Sequence, residues 1–293
     1  MLQHPTILLR ALASTILGTV IKNNSAETSL PVPERTRPIL GVNVLGLPRD
    51  IAADYLEGLL RSGRPARVAF ANANLVNMTS KDEQLKTALT TFIVLNDGVG
   101  VNTASRLLHR EPFPDNLNGT DFTPYFLDRC RIPLRIFLLG ATPSVVVRAT
   151  HIFAERWPRH CIVGFHHGFF EPKDEDEVIR HVRATAPDLV FVAMGNGRQE
   201  RWVERLVPES TTSAWGVGAL FDYLSGEQRR APGIVRSVGL EWAWRLWQDP
   251  RRLARRYVVG NPKFLFRVLC ELTYNTVFAR TVKKHLRGAN GRK

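Results

Sequence analysis

Short β-branched and apolar runs alternate with longer stretches of helical period along most of this chain, and that alternation limits the fold more than any other feature. The runs fall at Ile39–Val44, Val68–Ala71, Phe92–Leu95, Leu134–Leu139, Cys161–Gly164, Leu189–Met194 and Ala214–Val217. Between them Ile51–Leu60, Val99–Leu108, Phe122–Cys130, Val145–Trp157 and Glu175–Arg183 space their apolar residues as helices do. Strands separated by helices build βαβ units, so the expected fold is α/β, a mostly parallel sheet flanked by helices. With 293 residues, 44% of them hydrophobic, the chain can bury a substantial core.

The chain divides into three segments. Residues 1–38 hold an apolar stretch, Ile7–Ile21, and a polar linker, Asn23–Pro38, punctuated by Pro31, Pro33 and Pro38. The apolar stretch is interrupted by Arg10 and falls short of the roughly 20 residues a bilayer span requires, so no transmembrane helix is expected. Leu9, Leu12, Ile16 and Val20 instead fit an amphipathic surface helix. No Lys or Arg precedes Ile7 and no clear cleavage site follows, which disfavours a signal peptide.

Residues 39–226 carry the alternating pattern and form the expected folded domain, beginning near Ile39. Residues 227–293 differ in character: sixteen Lys or Arg face four Asp or Glu, so nearly all of the chain's net charge of +13 sits there. Trp242, Trp244, Trp247, Tyr257, Phe264 and Phe266 are interleaved with the cations. A basic, aromatic, helical appendage of this type suits anionic lipid headgroups. A nucleic-acid-binding protein would use the same composition. The tail holds no recognisable DNA- or RNA-binding motif, however, and that reading leaves the turns described next unexplained, so no nucleic-acid partner is expected. Cys130, Cys161 and Cys270 are odd in number and widely separated, which argues against a disulfide framework or zinc site and for a reducing compartment.

Ligands of open parallel sheets bind beyond the carboxyl ends of the strands. The sequence places polar or glycine-rich turns there: Asn72-Ala73-Asn74, Asn96-Asp97-Gly98, Gly140-Ala141-Thr142, Gly195 to Glu200, and Gly216-Val217-Gly218. Asp97 has two readings, a general base whose pKa is raised in a shielded crevice or a cap for the helix that follows. In Gly195-Asn196-Gly197-Arg198-Gln199-Glu200 the glycines let backbone approach a ligand, and a helix starting near Arg198 would offer N–H groups to a diphosphate. The first strand lacks the GxGxxG fingerprint, which demotes a nicotinamide enzyme. Asp174-Glu175-Asp176 resembles a metal-holding Asp-x-Asp, yet reads better as the solvated first turn of a helix. The adjacent rings of His166 and His167 are expected to point apart on an extended segment, with no third ligand near in sequence. No metal or other cofactor is expected.

Taken in order, several motifs add up to a resemblance. Asn96-Asp97-Gly98, Asn118-Gly119-Thr120-Asp121, Phe137-Leu138-Leu139-Gly140, Gly164 through Phe170, Gly195 through Glu200, Gly216 through Asp222, Arg230-Ala231-Pro232 and Gly239-Leu240-Glu241-Trp242 resemble the WecG/TagA/CpsF family of bacterial glycosyltransferases, from about Ile39 to Leu265. The resemblance implies a Rossmann-like, inverting transferase with a UDP-sugar donor and a polyprenyl-diphosphate-linked sugar acceptor, working peripherally at the cytoplasmic face of the bacterial inner membrane. It implies Asp97 as base. Substrate-binding positions fall at Asn72, Asn74, Asn96, Thr120, Asp121, Gly140, His167, Gly195, Asn196, Gln199, Glu200, Gly218 and Asp222. Members are thought to use a C-terminal appendage to reach the membrane and complete the site, which makes Arg229, Arg230, Arg236 and Arg245 candidates for gripping diphosphate.

Three departures stand out. Asn72 occupies a position where members often carry threonine, no arginine precedes the Asn118–Asp121 turn, and Gly197-Arg198 replaces a Pro-x pair. The expected reaction is hexose transfer to a lipid-linked sugar in exopolysaccharide assembly, toward which the Asn72-Ala73-Asn74 turn tilts the reading. N-acetylmannosamine transfer to lipid-linked N-acetylglucosamine, in teichoic-acid or enterobacterial-antigen synthesis, is the alternative.

Overall fold

A computed structural model describes residues 35–207, 211–237 and 239–290, leaving out the side chains of 236, 237 and 278–290. The apolar stretch Ile7–Ile21 and the side chain of Arg236 therefore lie outside the described residues. Among the described residues eight strands form one sheet: β1 (Thr36–Ile39), β2 (Val42–Leu45), β3 (Arg67–Ala71), β4 (Ile93–Asn96), β5 (Arg135–Gly140), β6 (Cys161–His166), β7 (Leu189–Ala193) and β8 (Ser213–Gly216). Their order is β1-β2-β4-β3-β8-β7-β5-β6, and every pairing is parallel except that of β1 with β2.

That exception corrects the expectation of a single strand over Ile39–Val44. Leu40 and Gly41 both have positive φ, 51° and 86°, and reverse the chain into a hairpin whose register places Pro38 opposite Asn43. Two consecutive positive φ values match the twist of the flanking strands, and a proline without an N–H is tolerated because β1 is an edge.

The crossovers are α1 (Arg49–Arg61), α2 (Ala73–Thr79), α3 (Glu83–Leu89), α4 (Gly98–His109), α5 (Gly119–Arg129), α6 (Pro143–Arg156), α7 (Glu175–Ala184) and α8 (Arg198–Leu206), and a short helix α9 (Leu220–Leu224) follows the last strand. Side chains of the central strands alternate between two apolar layers. Val68, Phe70, Ile136, Leu138, Leu189 and Phe191 belong to one core with residues of α1, α5, α6 and α9. Ala69, Ala71, Phe137, Leu139, Val190 and Val192 belong to the other with residues of α2, α3, α4, α7 and α8. Both faces are covered, which is why the strands read as continuous apolar runs.

After Glu227 the chain forms α10 (Gly233–Ser237), α11 (Glu241–Gln248), α12 (Pro250–Ala254), a π-helical turn over Arg255–Val259 and the long helix α13 (Gly260–Asn290). α13 packs on α2 and α4, burying Phe264 and Val268 in the second core. Arg267 donates to the Val76 carbonyl and to Asn77 Oδ1, each at 3.1 Å, and Asn77 donates back to the Gly260 carbonyl at 2.7 Å. The appendage is thereby tied to the helix that begins at Asn72.

Candidate active site

The carboxyl ends of β3, β4, β7 and β8 converge on one crevice of about 480 Å³. Asp97 follows β4 directly, and its backbone N–H continues the sheet by donating to Ala71 O at 2.8 Å. Its side chain makes no cap bond to α4; Asn116 Oδ1 accepts the Gly98 N–H instead, at 2.8 Å. The Asp97 carboxylate faces the crevice, half-buried, and Oδ2 accepts from Asn72 Nδ2 at 3.2 Å. Burial raises its pKa above the ordinary carboxylate value; the positive charge of Arg245, the Asn72 hydrogen bond and Arg256 oppose that rise, and Glu241 adds to it. A carboxylate so placed is equipped to accept a proton.

Glycine turns line the opposite wall. Gly195 and Gly197 have φ of 81° and 85°, conformations open to glycine at little cost. Behind them Glu200 is fully buried, and its carboxylate accepts from the Gly197 N–H and, at 2.9 Å, from Gln199 Nε2. Gln199 Nε2 also donates to Gly216 O at 3.0 Å, and its Oε1 accepts from the Gly218 N–H at 3.2 Å. One buried amide thus joins the turns after β7 and β8. Asn74 Nδ2 reaches Asn196 Oδ1 at 3.3 Å, which carries this network across to α2. At Gly140, with φ 130°, an added Cβ would stand 2.3 Å from Ala193 O, so the β5 and β7 ends approach more closely than any side chain permits.

The appendage closes the crevice. Arg245, Arg252, Arg256 and Tyr257 line it, and Arg245 is held by Glu241 at 2.6 Å and stands over the Tyr223 ring. Arg230 packs on the same ring and pairs with Asp121 and with Thr120 Oγ1, the latter at 3.1 Å. Asn118 builds that turn by accepting from Thr120 Oγ1 and the Asp121 N–H. A second, more apolar cavity of about 330 Å³ abuts the first, bounded by Val99, Trp242, Phe264 and Leu265. Asn72, Asp97, Asn118, Arg245, Arg256 and Tyr257 line both.

Of the residues expected from sequence, Asn72, Asp97, Thr120, Gly195, Asn196, Gln199, Gly218, Asp222 and Arg245 line the first cavity, and Asn74 lines the second. Burial raises the Asp222 pKa against the pull of Arg252. Asn96 is buried beneath the site and donates to Asp115 O at 2.8 Å. Gly140, His167, Glu200, Asp121, Arg229 and Arg230 stand behind the lining rather than in it. The backbone of Arg229 bonds the side chains of Gln248 and Trp244. The lining arginines Arg252 and Arg256 were not singled out by sequence, because the tail offers too many equivalent arginines for spacing to choose among them; Asn118, Glu241 and Tyr257 stood there in motifs or among the tail aromatics, without a place in the site.

Two lesser expectations are also resolved. His166 and His167 do not point apart: β6 ends at His166, the chain turns, and the rings lie 4.6 Å apart, with His167 Nδ1 accepting from the Phe169 N–H. Glu175 and Asp176 both pair with Arg205 on the surface, away from the crevice.

Comparison with known proteins gives a consistent result. Residues 37–276 match the model of a family described as glycosyl transferase WecG/TagA/CpsF family. Over 204 residues, 69% of this chain and 78% of the relative, the chain is 29% identical to the N-acetylglucosaminyldiphosphoundecaprenol N-acetyl-beta-D-mannosaminyltransferase of Staphylococcus aureus strain MW2. It is 33% identical over 180 residues, 60% of this chain and 67% of the relative, to a protein of the same name from Bacillus spizizenii strain W23.

Proposed function

Because the chain belongs to the WecG/TagA/CpsF family of glycosyltransferases, we propose that it transfers N-acetylmannosamine from a UDP-linked donor to N-acetylglucosamine carried on a polyprenyl diphosphate. The observation that carries this reading is the place of Asp97 on the wall shared by two unlike cavities. The larger, with its glycine turns and four arginines, Arg198, Arg245, Arg252 and Arg256, suits a nucleotide diphosphate. The more apolar one suits an acceptor sugar delivered at a membrane surface.

In the reaction Asp97 takes the proton of the acceptor hydroxyl as that oxygen attacks the anomeric carbon, and UDP leaves from the opposite face with inversion. Arg245, Arg252 and Arg256 offset the charge growing on the leaving diphosphate. All of this is chemistry of the protein's own side chains.

The expected hexose donor and exopolysaccharide role give way to N-acetylmannosamine, the sugar in the names of both relatives. The turn that favoured hexose has other work: Asn72 caps α2 and touches Asp97. No helix among the described residues is long and apolar enough to cross a membrane. Attachment is peripheral in this reading, through the cations and exposed apolar side chains of the appendage, Trp247, Val258 and Phe266 among them.

The test is a panel of UDP-sugars, N-acetylmannosamine and glucose included, offered with short-chain lipid-diphosphate N-acetylglucosamine or glucose, with products identified by mass. Formation of the N-acetylmannosaminyl product is expected. A glucosyl product alone would restore the hexose reading, and no sugar product from any pair would sink the proposal.

A further inference from the structure

Asn72 divides two tasks between its two terminal atoms. Its Oδ1 accepts the N–H groups of Asn74 and Leu75, both at 3.1 Å, and so caps α2. Helix N-terminal N–H groups require an acceptor, which fixes the orientation of the amide and turns Nδ2 toward Asp97 Oδ2. Among the described residues no hydrogen bond reaches Asp97 Oδ1. The Asp97 turn is itself anchored on either side, by its own N–H on Ala71 O and by the Gly98 N–H on Asn116 Oδ1.

We infer that Asn72 is a positioning residue for the transfer: its amide holds Oδ2 of Asp97 and reserves Oδ1 as the oxygen that receives the acceptor's proton. The inference rests on Asp97 being the base. A carboxylate otherwise turns about its last torsion and presents either oxygen, whereas a donor fixed by a helix cap holds its plane. An amide neither gains nor loses a proton in the working range, so the contact persists while Asp97 changes charge. Where a hydroxyl would cap and donate through a single oxygen, asparagine uses separate atoms.

The charged groups around Asp97 define what a test must see. Arg245 and Glu241 face it from α11 and Arg256 from the π-helical turn, with the Tyr257 phenol lining the same cavities. The Asn72 hydrogen bond acts with the two arginines, against burial and Glu241, to keep Asp97 ionisable.

N72D keeps an N-cap acceptor of equal quality but sets a second carboxylate against Oδ2. N72T keeps a capping oxygen and a hydroxyl donor. In N72D the acid limb of kcat/KM against pH should move up by about one unit or more, and kcat at pH 7 should fall at least about tenfold, with donor KM within about twofold. N72T should hold the limb within about 0.3 unit of its original position. Melting by circular dichroism verifies that both fold, and a ¹³C carboxyl titration of Asp97 reads the same shift in protein too slow for kinetics. If D97N is inactive while N72D leaves both limb and titration unmoved, the role of Asn72 is overturned and the base stands. If D97N turns over at near its normal rate, the base itself is wrong.

Discussion

Asp97 shows how a single carboxylate is set apart from the others in the chain. Charge is costly where burial dominates, so a carboxylate whose folded pKa is raised ionises at a penalty to the fold. The sign follows. Below the ordinary carboxylate pKa both folded and unfolded chains carry the proton and no penalty exists; as pH rises through the raised folded value the penalty is fully felt. D97N, which cannot ionise, should abolish sugar transfer while raising Tm at pH 7, and the gain in Tm should vanish as pH falls below about 4. Transfer by pH-stepped assay and melting by calorimetry check the two halves. A Tm unchanged at pH 7 would mean that Arg245 and Arg256 already neutralise the burial cost. Glu200 lies under the same pressure, raised by burial despite its bonds to Gln199, Gly197 and Asn196, but its neighbours aim it at a backbone turn and away from the cavity.

Among the elements, α11 and the turn after α9 hold the arginines of the appendage at the crevice. Arg230 and Arg245 both pack over the Tyr223 ring, and burial pushes its phenol up to about 12, so it stays neutral against two cations. Arg230 then fastens this unit to the N-terminus of α5 through Asp121 and Thr120. R230A should cost about 1–2 kcal/mol of stability, a fall of about 2–4 °C in Tm per kcal/mol, and lower kcat at least about tenfold without Arg230 touching substrate. A lowered Tm with full activity would show that α11 seats itself without this clasp. The other fastening, Arg267 and Asn77 between α13 and α2, links the appendage to the helix that Asn72 caps.

For the whole molecule the governing fact is segregation of charge. The folded domain is close to neutral and the residues after Glu227 hold nearly all of the net +13. Cations near an anionic surface contribute about 1 kcal/mol each and fade within a Debye length, whereas inserted aromatic side chains are insensitive to salt. Sedimentation with phosphatidylglycerol vesicles should therefore weaken steeply between low and physiological salt. W247S with F266S should lower the remaining partition at least about tenfold, with UDP binding unchanged. Binding to vesicles that ignored both changes would place the contact elsewhere on the molecule.

How much of this was legible in the sequence depends on the range of the interaction that sets each feature. The parallel sheet was readable because strands covered on both faces must be apolar throughout, and five of the crossover helices because one buried face imposes a helical period. Asp97 was readable as the polar residue ending a buried strand. The hairpin at Leu40-Gly41 was not, since a leucine at positive φ is held there by β1 pairing with β2 rather than by its own preference. Helix α2, seven residues long, is too short to show a period and is marked only by its Asn72 cap. Arg252 and Arg256 could not be told from Arg229 by residue type. Sequence alone thus determined what is set by burial of neighbouring residues: the parallel strands, five of the crossover helices, the charged tail and the strand end where a base could stand. Tertiary structure alone decided which arginines, from more than 120 positions along the chain, meet Asp97, because only the path of the backbone sets the distances over which charges and hydrogen bonds act.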